Sequence, residues 1–331
     1  GGGLVGSALA LALSRLPLRV LLTESHDVAA MEQPGFDARA TALANATRQI
    51  LENLAVWDQV AREAEPITRI HISERGRFGA SRIDAEAEGV SALGHTIENR
   101  NLGAAFWNAL GTRANCEVLA PARYLGMVLR DDHVESLVAT DAGEQRVRAR
   151  VVVAADGARS GVRESLGVGA REDDYGHTAV IFNCRPRRPL RGLAIERFTR
   201  SGPLAVLPLP DGRGGVVWSV PSTRVAELLE LDDSTLASRL DDEIGGRLGP
   251  VGRVGERAAF PLRRVRARAL CGPRSVLIGS AAVNLHPVAG QGFNLAMRDI
   301  ACLAEVVADE LCAAQRDCDI GAAAVLQRYA S

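Results

Sequence analysis

The chain has 331 residues, which at roughly 150 residues per domain points to about two domains. Hydrophobic residues make up 47% and charged residues 24%, the proportions of a globular protein, so disordered and fibrous classes are excluded. With 39 basic against 40 acidic residues, a formal charge of −1 and only 4% aromatics, the chain has neither a net field for nucleic acid or anionic lipid nor a base-stacking platform. The opening run GGGLVGSALALALSRL places Gly1, Gly3 and Gly6 in a G-x-G-x-x-G pattern, and Leu4–Leu16 reads as an apolar helix. Arg19–Thr23 is a short apolar strand with Glu24 at its end. That is the turn, helix, second strand and acidic residue of a dinucleotide-binding unit, at the expected spacing of about 20 residues. Ala40–Leu54 has helical spacing, Ile67–Glu74 and His95–Glu98 look β-like, and Asn101–Arg113 is another helix. Glu117–Leu119, Tyr124–Arg130 and His133–Thr140 read as strands, and Arg150–Ala154 as a strand buried on both faces. From Gly176 to Pro261 the pattern alternates, giving strands Thr178–Cys184, Leu193–Thr199, Leu204–Pro208 and Val216–Val220 and a helix over Ser234–Leu248. Val276–Gly279 returns to the buried parallel type, followed by a Gly-rich loop and a helix from Gly292 to Leu311. The Arg-rich pieces 185–191 and 263–268 read first as solvated strand ends, with substrate steering as the second reading.

All 39 basic residues are Arg, so Schiff-base chemistry and a phosphate-binding lysine are excluded. Six scattered cysteines without a C-x-x-C pair suit a reducing, cytoplasmic setting and provide no zinc site. Three constellations remain. In the first, Gly1 makes a tight turn, Gly3 lets backbone amides approach a pyrophosphate, and Gly6 lets the helix pack closely on the sheet. Glu24 can accept both hydroxyls of a ribose; its bland alternative is a solvated strand-end acid. The second is Ala154-Ala155-Asp156-Gly157-Ala158-Arg159-Ser160. There Asp156 and Gly157 either form a plain turn or set a carboxylate beside a cofactor. The third runs from Gly279 and Ser280 through His286 and Pro287 to Gly290, Gln291, Gly292, Phe293 and Asn294. So little side chain lets a flat ring lie against the backbone, and the helix N-terminus favours negative charge.

Together, GGGLVG, Glu24, Arg39 in DARATAL, ADGARS and GSAAVNLHPVAGQGFN resemble the FAD-dependent aromatic-ring hydroxylases of the p-hydroxybenzoate hydroxylase fold. The segments 36–43, 196–220 and 285–299 look like the ubiquinone-biosynthesis branch of that family. The resemblance implies an α/β protein, with a Rossmann-like FAD-binding domain and an inserted antiparallel-sheet substrate domain. The FAD-binding domain would comprise 1–66, 100–175 and 271–331, and the substrate domain 67–99 and 176–270. It implies FAD as cofactor and NAD(P)H as a transient co-substrate, since no second glycine motif offers a nicotinamide site. The implied reaction hydroxylates a polyprenylated phenol with O2 through a flavin C4a-hydroperoxide. It also implies that Arg39 approaches the flavin edge or the pyrophosphate and that Arg100 stands at a cofactor-contacting position. At position 280 the family usually has Asp or Asn, and Ser280 keeps one hydrogen bond but no charge.

His286, pinned by Pro287, is the candidate for a catalytic polar group above the ring, although a loop His is commonly only structural. No metal is expected. Expected partners are the prenylated phenol and O2, without nucleic acid, with peripheral contact at the inner membrane face and association with other ubiquinone-biosynthesis proteins. The rival readings are a flavoprotein reductase or oxidase without oxygen insertion, a non-catalytic member of a biosynthetic complex, and a plain NAD dehydrogenase. The apolar block 204–209 is the expected wall for the prenyl tail, with Leu204 and Leu207 as its probes; otherwise these residues form only domain core. The glycine motif calls for a strand before Gly1, so the first strand is expected to be missing from these 331 residues, and the resemblance implies that a C-terminal segment is missing as well.

Overall fold

Near-continuous apolar runs and alternating runs fold into two different kinds of sheet. The computed structural model describes residues 1–27, 39–285, 290–313 and 318–331. The near-continuous runs form short parallel pairs, Val20–Thr23 with Cys116–Leu119 and Val152–Ala154 with Ser275–Leu277. Among the described residues these pairs belong to separate sheets. Helices Leu4–Leu13, Asn99–Leu110 and Gln291–Ala313 cover them, and Leu9, Leu11, Leu102, Phe106, Ile300 and Leu303 make the shared core.

The first helix stops at Leu13 rather than Leu16. The Asn115 side chain explains the early end: its amide donates to the carbonyls of Ser14, Leu16 and Leu18 at 3.0, 3.3 and 2.8 Å, holding them out of helical geometry. The expected helix Ala40–Leu54 is a larger correction. Ala40–Ala44 is a strand, and only Asn45–Asn53 is helical. The high helix propensity of alanine yields here to tertiary pairing. Residues 40–44 pair antiparallel with Gly94–Glu98, which also takes Ala64–Ile67 on its other edge. The strand Gly94–Glu98 is therefore hydrogen-bonded to residues 40–44 and 64–67, although the expected boundary grouped it with 67–99.

The alternating runs build a sheet of nine strands among the described residues. Its spine is the 17-residue strand Ala170–Pro186, flanked by Arg213–Pro221 and Ala258–Ala267. Gly202–Leu209, Leu193–Thr199, Arg69–Glu74 and Ala80–Asp84 extend it in that order. One face packs on the helices Val225–Glu230 and Asp233–Ile244 through Val180, Phe182, Trp218, Leu204, Val206 and Leu240.

Strand alternation divides the expected tail wall between two faces. Leu204 is fully buried in the helix-covered core, which corrects its assignment to the substrate wall, whereas Leu207 is half-buried on the other face. Leu204→Arg is expected to unfold the second unit, because the site offers an arginine no partner and loses ~1.5–3 kcal/mol of burial besides. Leu207→Arg should leave the thermal melt near wild type. Equal melting temperatures for the two variants would contradict this division.

Candidate functional site

The helix Leu4–Leu13 starts where two strands end. Its first intrahelical bond runs from the Ser7 amide to the Gly3 carbonyl at 3.0 Å, so the amides just before it have no partner within the helix. Gly6 is forced by packing: a Cβ there would stand 1.8 Å from the Gly1 carbonyl oxygen. At Gly3, by contrast, a Cβ would meet nothing within 4 Å, so the approach to the helix start is open there. Gly1 lies against the turn after Val152–Ala154, since its Cβ would be 2.7 Å from the Ala155 carbonyl oxygen.

Glu24 holds the other side of this turn. Its Oε2 accepts the Gly2 amide at 2.5 Å, and its Oε1 accepts the His26 amide at 3.0 Å and the Ser25 hydroxyl at 3.1 Å. The His26 ring nitrogen Nδ1 lies 2.9 Å from the same oxygen. Burial alone would raise the Glu24 carboxyl, but the bonds from His26, Gly2 and Ser25 outweigh it and hold the group below its ordinary value. Trp107 closes the turn from the helix Asn99–Leu110, near enough that a Cβ on Gly2 would clash with its ring. Sequence reasoning missed both His26 and Trp107, because neither falls within a spaced motif.

Asp156 and Gly157 follow the strand Val152–Ala154, as expected. Asp156 Oδ2 accepts the Val162 amide at 3.2 Å, and its Oδ1 is buried without a partner among the described residues. The nearby Ser160 caps the short helix Gly161–Ser165. Arg163, also missed by sequence, donates to the carbonyls of Ala158 and Ala281, both at 2.9 Å, and so ties the Asp156 turn to the Ser280 turn. Ser280 itself donates to Asn284 Oδ1 at 3.4 Å.

The third constellation sits on the strand Ala40–Ala44. Asn294 is buried, and all its capacity is spent internally. Its Oδ1 accepts the Ala44 amide at 2.8 Å and the Thr47 hydroxyl at 2.7 Å, and its amide donates to the carbonyls of Ala42 at 2.8 Å and Gly290 at 3.0 Å. Asn294 thus anchors the helix start to the strand. Gly290 has φ +59°, a left-handed conformation that glycine adopts without strain. Gln291 and Gly292 are exposed at the helix start, whereas Phe293 packs against the core of the first unit. His286 and Pro287 lie outside the described residues. Arg39 stacks its guanidinium over the Phe260 ring, 4.7 Å from the centroid.

Arg100 is engaged by Glu98 Oε2 at 3.0 Å, with its side chain 55% exposed and that of Glu98 2% exposed. Arg213 grips the same carboxylate with both terminal nitrogens, at 3.0 and 3.1 Å, and Asn183 donates to Oε1 at 3.1 Å. One buried acid thus joins the small sheet to two strands of the nine-stranded one. Burial would raise its pKa, but Arg213 and Arg100 outweigh that and lower it. Among the described residues, no group of His, Cys, Asp and Glu could hold a metal ion, and no helix is long and apolar enough to cross a membrane.

Comparison with known proteins gives a consistent picture. A family model described as "FAD binding domain" matches residues 1–318. The "Ubiquinone hydroxylase UbiL" of Rhodospirillum rubrum is 40% identical over 331 residues, covering 99% of this chain and 75% of that protein. The "3-demethoxyubiquinol 3-hydroxylase" of Escherichia coli is 32% identical over 313 residues, covering 93% and 78% respectively. Among solved structures, p-nitrophenol 4-monooxygenase PnpA from Pseudomonas putida DLL-E4 has a TM-score of 0.79 at 23% identity, covering 100% of this chain and 82% of that one. That last likeness speaks for the fold.

Proposed function

The chain belongs to the FAD-binding-domain family, and from that premise we propose that it is an FAD-dependent monooxygenase that uses NAD(P)H and O2 to hydroxylate a polyprenylated phenol in ubiquinone biosynthesis. The observation that carries this reading is the pairing of two features. One is a glycine turn with free space over Gly3 and unpartnered helix amides. The other is the half-buried sheet face of Ala205, Leu207 and Val217, on which a Cβ at Gly215 would touch Ala40. The names of the relatives supply the substrate class.

The residues present fit FAD. Gly3 leaves room for a pyrophosphate, Gly1 and Gly6 let the turn and the helix pack closely beneath it, and the helix N-terminus supplies the positive end of its dipole. Glu24 stands at the adenosine end, where its carboxylate receives ribose hydroxyls while keeping the Gly2 amide. The unpartnered Asp156 Oδ1 marks a polar position beside Gly1 that a ligand donor can satisfy. Ser280 offers one hydroxyl toward the ribityl-phosphate region. We place the ring against Gly290, Gln291 and Gly292, which Asn294 holds through its bond to the Gly290 carbonyl, with Phe293 packed on the core beside them. Arg39 lies over the Phe260 ring of the nine-stranded sheet. Bound FAD supplies reduction by NAD(P)H and activation of O2 for transfer of one oxygen atom to an electron-rich ring. The protein's part is to set ring against ring and exclude water, so few acid–base side chains are required.

Glu24→Ala is expected to weaken FAD binding at least tenfold, because hydrogen bonds to a charged group are worth ~1.5–3 kcal/mol each. Fluorescence titration of the apoprotein measures this. Unchanged affinity would show that the adenosine end lies elsewhere. The reading as a whole requires a yellow holoprotein whose NAD(P)H oxidation is stimulated by a prenylphenol.

A further inference from the structure

The face of the nine-stranded sheet opposite its helix-covered core carries one acid that the cofactor site does not use. Antiparallel pairing sets Ile181 opposite Val217, Val217 opposite Ala205, and Ala205 opposite Glu196. Parallel pairing then sets Glu196 beside Ile72. Paired residues share a face, so these five form one row across the sheet, roughly 19 Å long at ~4.8 Å per strand. All five are half-buried, whereas their alternating neighbours Val180, Trp218, Leu204 and Ile195 are closed off in the core.

The row also faces the cofactor side. In the pleat on one side of it, a Cβ on Gly215 would touch Ala40 Cβ at 3.4 Å. In the pleat on the other side, Ala179 pairs with Phe260, over which Arg39 stacks at 4.7 Å. Arg39 and Ala40 lead into the strand that Asn294 ties to Gly290. The Glu196 row is therefore bracketed by contacts with the segment next to the proposed ring wall.

Glu196 is the only acid in this row, and its carboxylate has no hydrogen bond or ion pair among the described residues. Burial pushes its pKa up, with no neighbouring charge to counter it. A carboxylate on an apolar wall costs stability until a donor reaches it. We propose that Glu196 accepts the hydrogen bond of the substrate's phenolic hydroxyl, while the flanking Ile72, Ala205 and Val217 take the ring and the first part of its apolar tail. A carboxylate drawing on the phenol O–H raises electron density at the ortho and para ring carbons, which is what an electrophilic oxygen requires. This assignment rests on the monooxygenase reading and adds the substrate-recognition residue to it.

Equilibrium binding of 2-geranylphenol and of its methyl ether to the FAD-loaded protein tests the assignment without turnover. Wild type should prefer the phenol roughly tenfold or more. Glu196→Leu should keep its FAD and its melting temperature but bind the two probes about equally, since only the acceptor is lost. Glu196→Gln, a neutral and weaker acceptor of the same shape, should show an intermediate preference and keeps the test valid should the leucine variant misfold. A wild-type preference in either folded variant overturns the assignment. If that result came with hydroxylation by the wild type, the monooxygenase reading would stand. A wild type that binds FAD and never hydroxylates would fail that reading instead.

Discussion

A Gly6→Ala variant is expected to lose both bound FAD and a large part of its thermal stability. A methyl group at this position would lie 1.8 Å from the Gly1 carbonyl oxygen and 3.3 Å from Ala155 Cβ, and the first of these is backbone that cannot rotate away. The helix must then lift off the two strand ends, at a cost of ~1–3 kcal/mol or more for overpacking. Lifting it also moves the unpartnered amides away from the pyrophosphate position. Gly3→Ala is the matching control. Its methyl group meets nothing within 4 Å in the free protein, so the fold should persist. The same methyl group occupies the space proposed for the pyrophosphate, so FAD affinity should still fall. Thermal melts and FAD titrations of both variants separate packing from ligand approach. A Gly3→Ala protein that binds FAD normally would contradict the placement of the cofactor over this turn.

The second large effect is expected at Glu98. Its buried carboxylate holds Arg213 through two bonds and also receives Arg100 and Asn183. Glu98→Ala leaves Arg213 without its partner at a place water reaches poorly, and breaking such a pair costs about 3–5 kcal/mol. A drop in Tm on the order of 10 °C follows for domains of this size. The pair also sets an acid limit. The folded carboxyl is held below the 4.5 of an unfolded glutamate, so its contribution is fully present above that pH and is lost as pH falls through the depressed folded value. Glu98→Gln should therefore flatten this part of the acid limb of stability against pH, while lowering stability at neutral pH. An acid limb identical to wild type would show that the pair does not carry the linkage. The same substitution should loosen the nine-stranded sheet from the small sheet, so turnover should fall more than FAD affinity.

The sequence disclosed what depends on local chemistry. The glycine turn, Glu24 at the end of its strand, Asp156 after Val152–Ala154 and the helix that follows Gly290 all appear where spacing put them. Each is fixed by neighbours within a few residues or by a motif with a steric reason. What the sequence hid depends on distant partners. ATALA reads as helix by propensity, and only its pairing with residues 94–98 makes it a strand. Glu98, Asn183 and Arg213 are far apart in the chain and meet only when the two kinds of sheet do. Arg100 matched a cofactor position by resemblance, yet its guanidinium lies on Glu98. Leu204 and Leu207 belong to one apolar block, and only the register with Trp218 and Gly215 assigns them to opposite faces. That same register brought Glu196 onto the open face.

Oxygen insertion can be read in one reaction. The purified FAD-loaded protein is mixed with NAD(P)H, a short-chain prenylphenol and isotopically labelled O2, and the product is weighed by mass spectrometry. The predicted result is a hydroxylated ring carrying one labelled oxygen atom, formed only when protein and NAD(P)H are both present. NAD(P)H consumption without labelled product, or a product altered only in its prenyl chain, would contradict the assignment of this chain as a phenol-hydroxylating monooxygenase.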